Sequence, residues 1–360
     1  MIPLLIPPGV AAGPTKNTPS GAWSEVHMMR WADGRLCPMG GIEKLSGVTF
    51  ASPCRAVHTW TTTAGVEWTA FLCERHVYVL DVAGVLSDIS PTVPLVSPTT
   101  LGTGGWGRGK WGKGTWGTPR TGIDIKKALP DAYSLDNWGE DLLVQTSADQ
   151  RLLRWSPATP STVLTAVSGA PAGRQFVVTP ERFVMMFGIA SDPRAFGWCD
   201  QEVITDWNFA STTNKAGSYT VEPASPLVAA ISTRDGVLLW TSKKLYLSRF
   251  VGLPAVYSLE EISDGTVPFS PGSVVTSGGA VLWASEGGFW RFDGGGVAPL
   301  ACPIWAWIAE DIDIGAARER AVMCRVDTRG EVWWFFPQMG QTENTRAAIY
   351  SVREGWWSQA

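Results

Sequence analysis

The sequence predicts an all-β fold, a β-propeller of about six four-stranded antiparallel blades, and three observations carry that prediction. Similar stretches recur at a spacing of about 45 residues, a period typical of propeller blades. Glycine (39) and proline (25) punctuate the 360 residues, as frequent tight turns require. Tryptophan (20) and phenylalanine (13) supply aromatic bulk while charged residues make up only 17%, a balance that suits half-buried strands.

Taken in order, residues 1–50 read as an extended, proline-containing arm ending in a hairpin, and residues 51–360 as the propeller. The first unit, Cys54 to Ile89, has the segments CRAVHTW, VEWTAFLC, HVYVLD and GVLSDI parted by Thr-Ala-Gly, Glu-Arg and Ala-Gly turns, a single four-stranded meander. Residues 91–130 form an insertion rich in Gly and Trp, and insertions into repeats fall on one face and commonly carry specific contacts. The second unit runs from about Tyr133 to Val167 with a hairpin across Ala148-Asp149, and the third starts at Arg174 with QFVVTP, RFVMMFG and RAFGWCD. The fourth, Leu227 to Ile262, turns at Arg234-Asp235-Gly236, and the fifth, Gly272 to Leu300, repeats its scheme. The sixth begins near Arg318 and ends in GWWSQA, and one helical stretch is expected before it, over Ile304 to Arg320. In the fourth and fifth units Trp240 and Trp283 fall at nearly the same point, which predicts that each packs between adjacent blades.

The formal net charge is -4, so the chain as a whole has no attraction for a phosphate backbone, and any nucleic-acid contact is local. Its six cysteines include no CxxC pair, which argues against a zinc ribbon and a disulfide framework and reads as reduced thiols in strands. No apolar run approaches the roughly 18 residues of a membrane helix, and Pro3, Pro7 and Pro8 interrupt the apolar start, so neither secretion nor membrane insertion is expected.

Titratable groups in catalytic patterns are sparse. The histidines are His27, His58 and His76, without an HExxH; His58 and His76 are placed to meet across the strands of the first unit, yet no metal or cofactor is assigned. There is no GxSxG elbow, and the Asp-box near-misses around Asp149 and Ser232 have the wrong residue or spacing. The chain is therefore expected to be non-enzymatic. The alternative is a carbohydrate-binding or carbohydrate-active propeller using Glu260-Glu261, Asp311-Asp313 or Glu319, although adjacent carboxylates on a strand point to opposite faces.

The most unusual stretch is LGTGGWGRGKWGKGTWGTPR, Leu101 to Arg120, in which Trp106, Trp111 and Trp116 recur every five residues among Arg108, Lys110, Lys113 and Arg120. The phosphate-loop spacing from Gly107 to Gly112-Lys113 fails because Gly114 stands where Ser or Thr must hold magnesium. Basic residues alternating with aromatics suit a nucleic-acid backbone; aromatic anchors equally suit a neighbouring subunit or the propeller itself. These seven residues are the candidate contact set for DNA or a subunit.

Three stretches carry a family resemblance: MMRWADGRLCPMGGIEKLSG (Met28 to Gly47); the run from ITDWNFASTTNKAGSYTV through VGLPAVYSLEEIS to GGFWRFDGGGV; and the closing AIYSVREGWWSQA. They resemble the propeller-bearing proteins of short-tailed bacteriophage (podovirus) tails, called tail nozzle, tail hub or packaged-DNA stabilisation proteins. The family's opening hairpin has a strand ending in Asp-Gly followed by a Pro-x-Gly-Gly turn, and its blade closure reads Tyr-x-x-x-Glu-x-x-Trp-Ser. The resemblance implies a structural virion protein, made in the bacterial cytoplasm and carried in the tail. It would form a ring, commonly a hexamer, below the portal and the adaptor or head-to-tail connector. Such a ring contacts other tail proteins, retains packaged DNA, and passes it transiently through its lumen during genome ejection.

Overall fold

Within the repeats most of the short β-branched and aromatic runs are parted by turns of only a few residues, too short for any crossover to a parallel neighbour, and each repeat folds as one antiparallel meander. The computed structural model describes residues 9–10, 23, 26–40, 49–96, 129–190, 192–222 and 225–360. A hairpin of β1 (Met29–Ala32) and β2 (Arg35–Pro38) precedes six four-stranded sheets.

Blade one comprises β3 (Cys54–Thr61), β4 (Glu67–Cys73), β5 (Val77–Leu80) and β6 (Leu86–Asp88); blade two comprises β7 (Tyr133–Trp138), β8 (Asp141–Thr146), β9 (Leu153–Trp155) and β10 (Thr165–Ala166). Blade three holds β11 (Gln175–Val178), β12 (Val184–Phe187), β13 (Ala195–Trp198) and β14 (Gly217–Thr220); blade four holds β15 (Leu227–Thr233), β16 (Gly236–Thr241), β17 (Lys244–Gly252) and β18 (Val256–Asp264). Blade five is β19 (Val274–Ser277), β20 (Ala280–Ser285), β21 (Gly288–Phe292) and β22 (Val297–Leu300). Blade six is β23 (Val322–Val326), β24 (Glu331–Phe336), β25 (Arg346–Ser351) and β26 (Trp357–Gln359). In every blade the strands pair in chain order.

The first strand of each blade is innermost, and β3, β7, β11, β15, β19 and β23 succeed one another around the axis. All inner strands therefore start at one end of the propeller, the mouth, where the turns between second and third strands also lie.

The expected helix is two helices, α1 (Trp305–Asp311) and α2 (Ile314–Arg320). The break sits at Asp313, whose extended backbone (ψ 100°) lets its carboxylate cap α2 by accepting from Ala316 N–H at 2.9 Å. The outer strand β14 was absent from the third unit as read, because GSYT carries no apolar run and follows a long loop held by Asp200 and Asn208 turns.

The core is a series of apolar layers between blades. Trp60 and Leu72 meet Leu142 and Trp155 between blades one and two, Leu143 meets Phe176 and Met186 between two and three, and Phe183 and Trp198 meet Leu239 and Tyr257 between three and four. Trp240 and Trp283 lie fully buried between blades four and five with ring centroids 5.2 Å apart and edge to face, as their repeat position predicts. Between five and six, Phe289 packs on Trp334 and Trp357, with Ile308 of α1 and Ala317 of α2 closing the layer. Burying each such aromatic contributes about 2–3 kcal/mol, so these five layers hold the ring.

Candidate functional site at the mouth and the blade seam

The sixth junction, between blades six and one, is built differently. Among the described residues no apolar cluster spans it. The inner strands of blades two to five have no exposed residue, whereas β3 exposes Val57, Thr59 and Thr61, and β23 exposes Cys324 and Arg325. Val57 is 58% exposed, a value at odds with a closed blade interface. Among the described residues the seam is thus open along its inner strands.

At the mouth an ionic clasp spans it. Arg55 on β3 donates to Glu74, in the β4–β5 turn of its own blade, from Nε at 3.0 Å and Nη2 at 2.6 Å. The same guanidinium reaches across to Glu343, in the β24–β25 turn of blade six, at 2.6 Å and 2.8 Å. Arg320, at the end of α2, approaches Glu74 at 3.4 Å, and its carbonyl accepts from Asn344 Nδ2 at 2.7 Å. The Arg55 side chain is 10% exposed, so its charge is largely withdrawn from water and has to be paired. Burial opposes the charge on Arg55, but the two carboxylates outweigh it and hold the guanidinium above its ordinary range. Arg55 in turn holds the Glu343 carboxyl below the usual carboxylate range.

Polar groups continue across the mouth. Asp131, just before β7, donates its N–H to Glu319 of α2 at 3.2 Å and accepts from Ser147 Oγ at 3.2 Å. Arg174, before β11, donates to the Pro130 carbonyl at 2.9 Å, and burial lowers its basicity. Beside them, a cavity of about 410 Å³ opens between blades four and five, α2 and Leu129-Pro130; Ser242, Ser285, Phe269 and the Arg318–Glu286 ion pair line it. Its volume is that of a small-molecule pocket. Further along the axis, burial raises the Asp136 carboxyl on β7, an effect countered by nearby His58, which contacts Asn137 Oδ1 at 3.2 Å.

The candidate contact set, Trp106, Arg108, Lys110, Trp111, Lys113, Trp116 and Arg120, lies outside the described residues. The described residues flanking that segment, Val96 and Leu129, both stand at the mouth: Val96 N–H donates to Asp149 in the β8–β9 turn, and Leu129 lines the cavity. His58 and His76 do not meet, since His58 stacks on Trp60 while His76 stacks on Tyr78 and approaches Asp88 at 3.5 Å. The carboxylates considered for sugar chemistry are occupied: Glu261 pairs with Lys244, Glu260 with Arg249, Asp311 with Arg346, and Asp313 caps α2. Glu319 is engaged by Asp131. Sequence reasoning missed the clasp, because its four residues come from blade one, the end of α2 and the β24–β25 turn, and no periodicity marks them.

No protein-family model matches the chain, and no curated protein does. Among solved structures it is similar to a virginiamycin B lyase from Staphylococcus aureus, at 9% identity over 84% of this chain and 82% of that one with a TM-score of 0.46. It is also similar to a dihydro-heme d1 dehydrogenase (11%, 85% and 58%, TM-score 0.44) and a Pseudomonas aeruginosa periplasmic gluconolactonase (14%, 66% and 66%, TM-score 0.38). The expectation of a non-enzymatic chain is corrected by these neighbours, which are enzymes, and it is not retained. A propeller scaffold hosts catalysis as readily as binding. At these identities the likeness is one of fold: an all-β propeller of six four-stranded antiparallel blades, with no described helix long and apolar enough to cross a membrane.

Proposed function

We propose that the chain is a ring-forming structural subunit of a short-tailed bacteriophage tail, placed below the portal and adaptor, that retains packaged DNA and lines the channel for its ejection. The observation that carries this reading is the meeting of the two terminal motifs. Asp33 (φ 50°) and Gly34 (φ 69°) form the tight turn of the β1–β2 hairpin, and their N–H groups donate to the two carboxylate oxygens of Glu354 at 2.7 and 3.4 Å. Glu354 is the glutamate of the closing Tyr350-x-x-x-Glu354-x-x-Trp357-Ser358 stretch. Residues 321 apart that define the resemblance therefore make one structural unit, with the hairpin running beside β26 through Met28 N–H to the Gln359 carbonyl. Trp155, Trp240 and Trp283 are buried between blades, which weighs against the carbohydrate reading.

The net charge of -4 suits a conduit that does not trap DNA. The test is the native mass of the purified chain by light scattering, together with cryo-electron microscopy of the source virion. A closed ring on a portal–adaptor stack supports the reading, and a monodisperse monomer without affinity for virion components overturns it. In assembled virions, replacing Arg108, Lys110, Lys113 and Arg120 with Ala is expected to reduce DNA retention if that segment contacts the genome.

A further inference from the structure

We infer that Cys54 and Cys73 form a redox-active dithiol at the base of the clasp, with Cys54 the attacking and Cys73 the resolving sulfur. The two residues are direct cross-strand partners at the start of β3 and the end of β4, next to the bulge between Cys54 and Ala56. Facing residues of an antiparallel pair have Cα atoms about 4.5–5.5 Å apart, inside the roughly 4.4–6.8 Å that a disulfide spans. The two thiols face each other across the strands, and Cys54 Sγ donates to the Ala56 carbonyl at 3.4 Å. Cys73 is completely buried, whereas Cys54 is half-exposed at the mouth. An incoming oxidant therefore meets Cys54 first.

The electrostatics distinguish the two sulfurs in the same sense. The facing Cys73 thiol and, to a smaller degree, the charge of Arg55 hold the Cys54 thiol below its ordinary range against the opposing effect of burial. Cys73 is held above it, first by Cys54 and then by burial. The control thiols differ: burial pushes Cys199 and Cys302 up to about 12, which leaves them unreactive.

The oxidant is a low-molecular-weight disulfide such as oxidised glutathione, encountered when the chain enters an oxidising medium. The Cys54 thiolate attacks one sulfur of the glutathione disulfide; that S–S bond breaks and one glutathione leaves as thiolate. Cys73 then loses its proton and attacks the Cys54 sulfur, forming the Cys54–Cys73 bond and releasing the second glutathione. Two protein thiols are oxidised, one disulfide is reduced to two thiols, and the two protein protons end on the two glutathiones. The consequence is local: Arg55 and Glu74, the chain neighbours of the two cysteines, form the blade-one side of the clasp, so the bond staples the strands from which it springs.

The experiment equilibrates the full-length chain in reduced and oxidised glutathione mixtures, quenches with acid, alkylates, and maps the peptides by non-reducing mass spectrometry. The expected product is a linked Cys54–Cys73 peptide pair that appears before any oxidation of Cys199 or Cys302. In Cys73→Ser, Cys54 is expected to accumulate as a glutathione mixed disulfide at a level about tenfold above wild type, since nothing resolves it. In Cys54→Ser, Cys73 stays free. Oxidation of the wild type is expected to raise its thermal midpoint by about 5 °C. The inference is overturned if Cys54 stays alkylatable in wild type under conditions that oxidise exposed Cys324, or if its mixed disulfide accumulates equally in wild type and Cys73→Ser. The wild-type map decides the matter even where a variant does not fold.

Discussion

Gly236 opens β16 at φ +139°, and a Cβ there would stand 2.3 Å from the Ser248 carbonyl oxygen of β17. No L side chain fits without moving the ladder, so Gly236→Ala is expected to cost about 2–3 kcal/mol, read as a lower chemical-denaturation midpoint at unchanged slope. The Arg234-Asp235-Gly236 turn was legible in the sequence for this reason, a tight return that only glycine completes. Glu354 acts by its oxygens. Glu354→Ala removes both acceptors from the Asp33–Gly34 turn and is expected to cost about 1–2 kcal/mol. Hydrogen exchange at the Asp33 and Gly34 amides should quicken by at least tenfold while the β16 and β20 amides keep their protection. Unchanged exchange at the turn would mean that the hairpin is held by its edge contacts with β26 alone.

At the level of elements, the inter-blade tryptophans decide cooperativity. Trp283 is fully buried, packs edge to face on Trp240, and donates its indole N–H to the Thr266 carbonyl at 2.7 Å. Trp283→Ala leaves a cavity shared by two blades and strands that carbonyl, so a loss of about 3–5 kcal/mol is expected. Fluorescence and circular dichroism melts should fall together, since neither blade keeps its apolar face alone; separate transitions would show that blades four and five unfold independently. The strand runs and these tryptophans were readable because burial imposes alternation and repeats impose register. The break at Asp313 was not, since a capping aspartate inside a run of helix formers looks like one more polar position. Nor was β14, whose pairing with β13 depends on neighbours distant in sequence and not on its own GSYT. The clasp was illegible for the same reason at longer range: Arg55 and Glu343 are 288 residues apart, and the value of each lies wholly in the other.

At the level of the whole molecule, ring closure is the weakest joint. Five junctions are filled by apolar layers, while the sixth depends on Arg55, Glu74, Glu343 and Arg320. Removing a nearly buried partner leaves its carboxylates unpaired, which in a fully buried pair costs about 3–5 kcal/mol. Here Arg320 still faces Glu74, and Glu343 is 52% exposed to solvent that screens it. Arg55→Ala is therefore expected to cost less, about 2 kcal/mol, felt first across the seam. The pH dependence has a definite sign. The folded-state pKa of Glu343 is depressed by Arg55, so its contribution is complete above the unfolded value near about 4.3 and is lost as pH falls through the lower folded value. Between about pH 5 and pH 3 the wild type should lose stability more steeply than Arg55→Ala, whose Glu343 keeps only the weaker pull of Arg320. Hydrogen exchange in β3 and β23 should rise over the same interval, ahead of β15 and β19, because the opening begins where no apolar layer of the described residues holds the blades. Parallel acid profiles for the two proteins, with β3 and β15 exchanging alike, would show that closure rests on contacts other than the clasp.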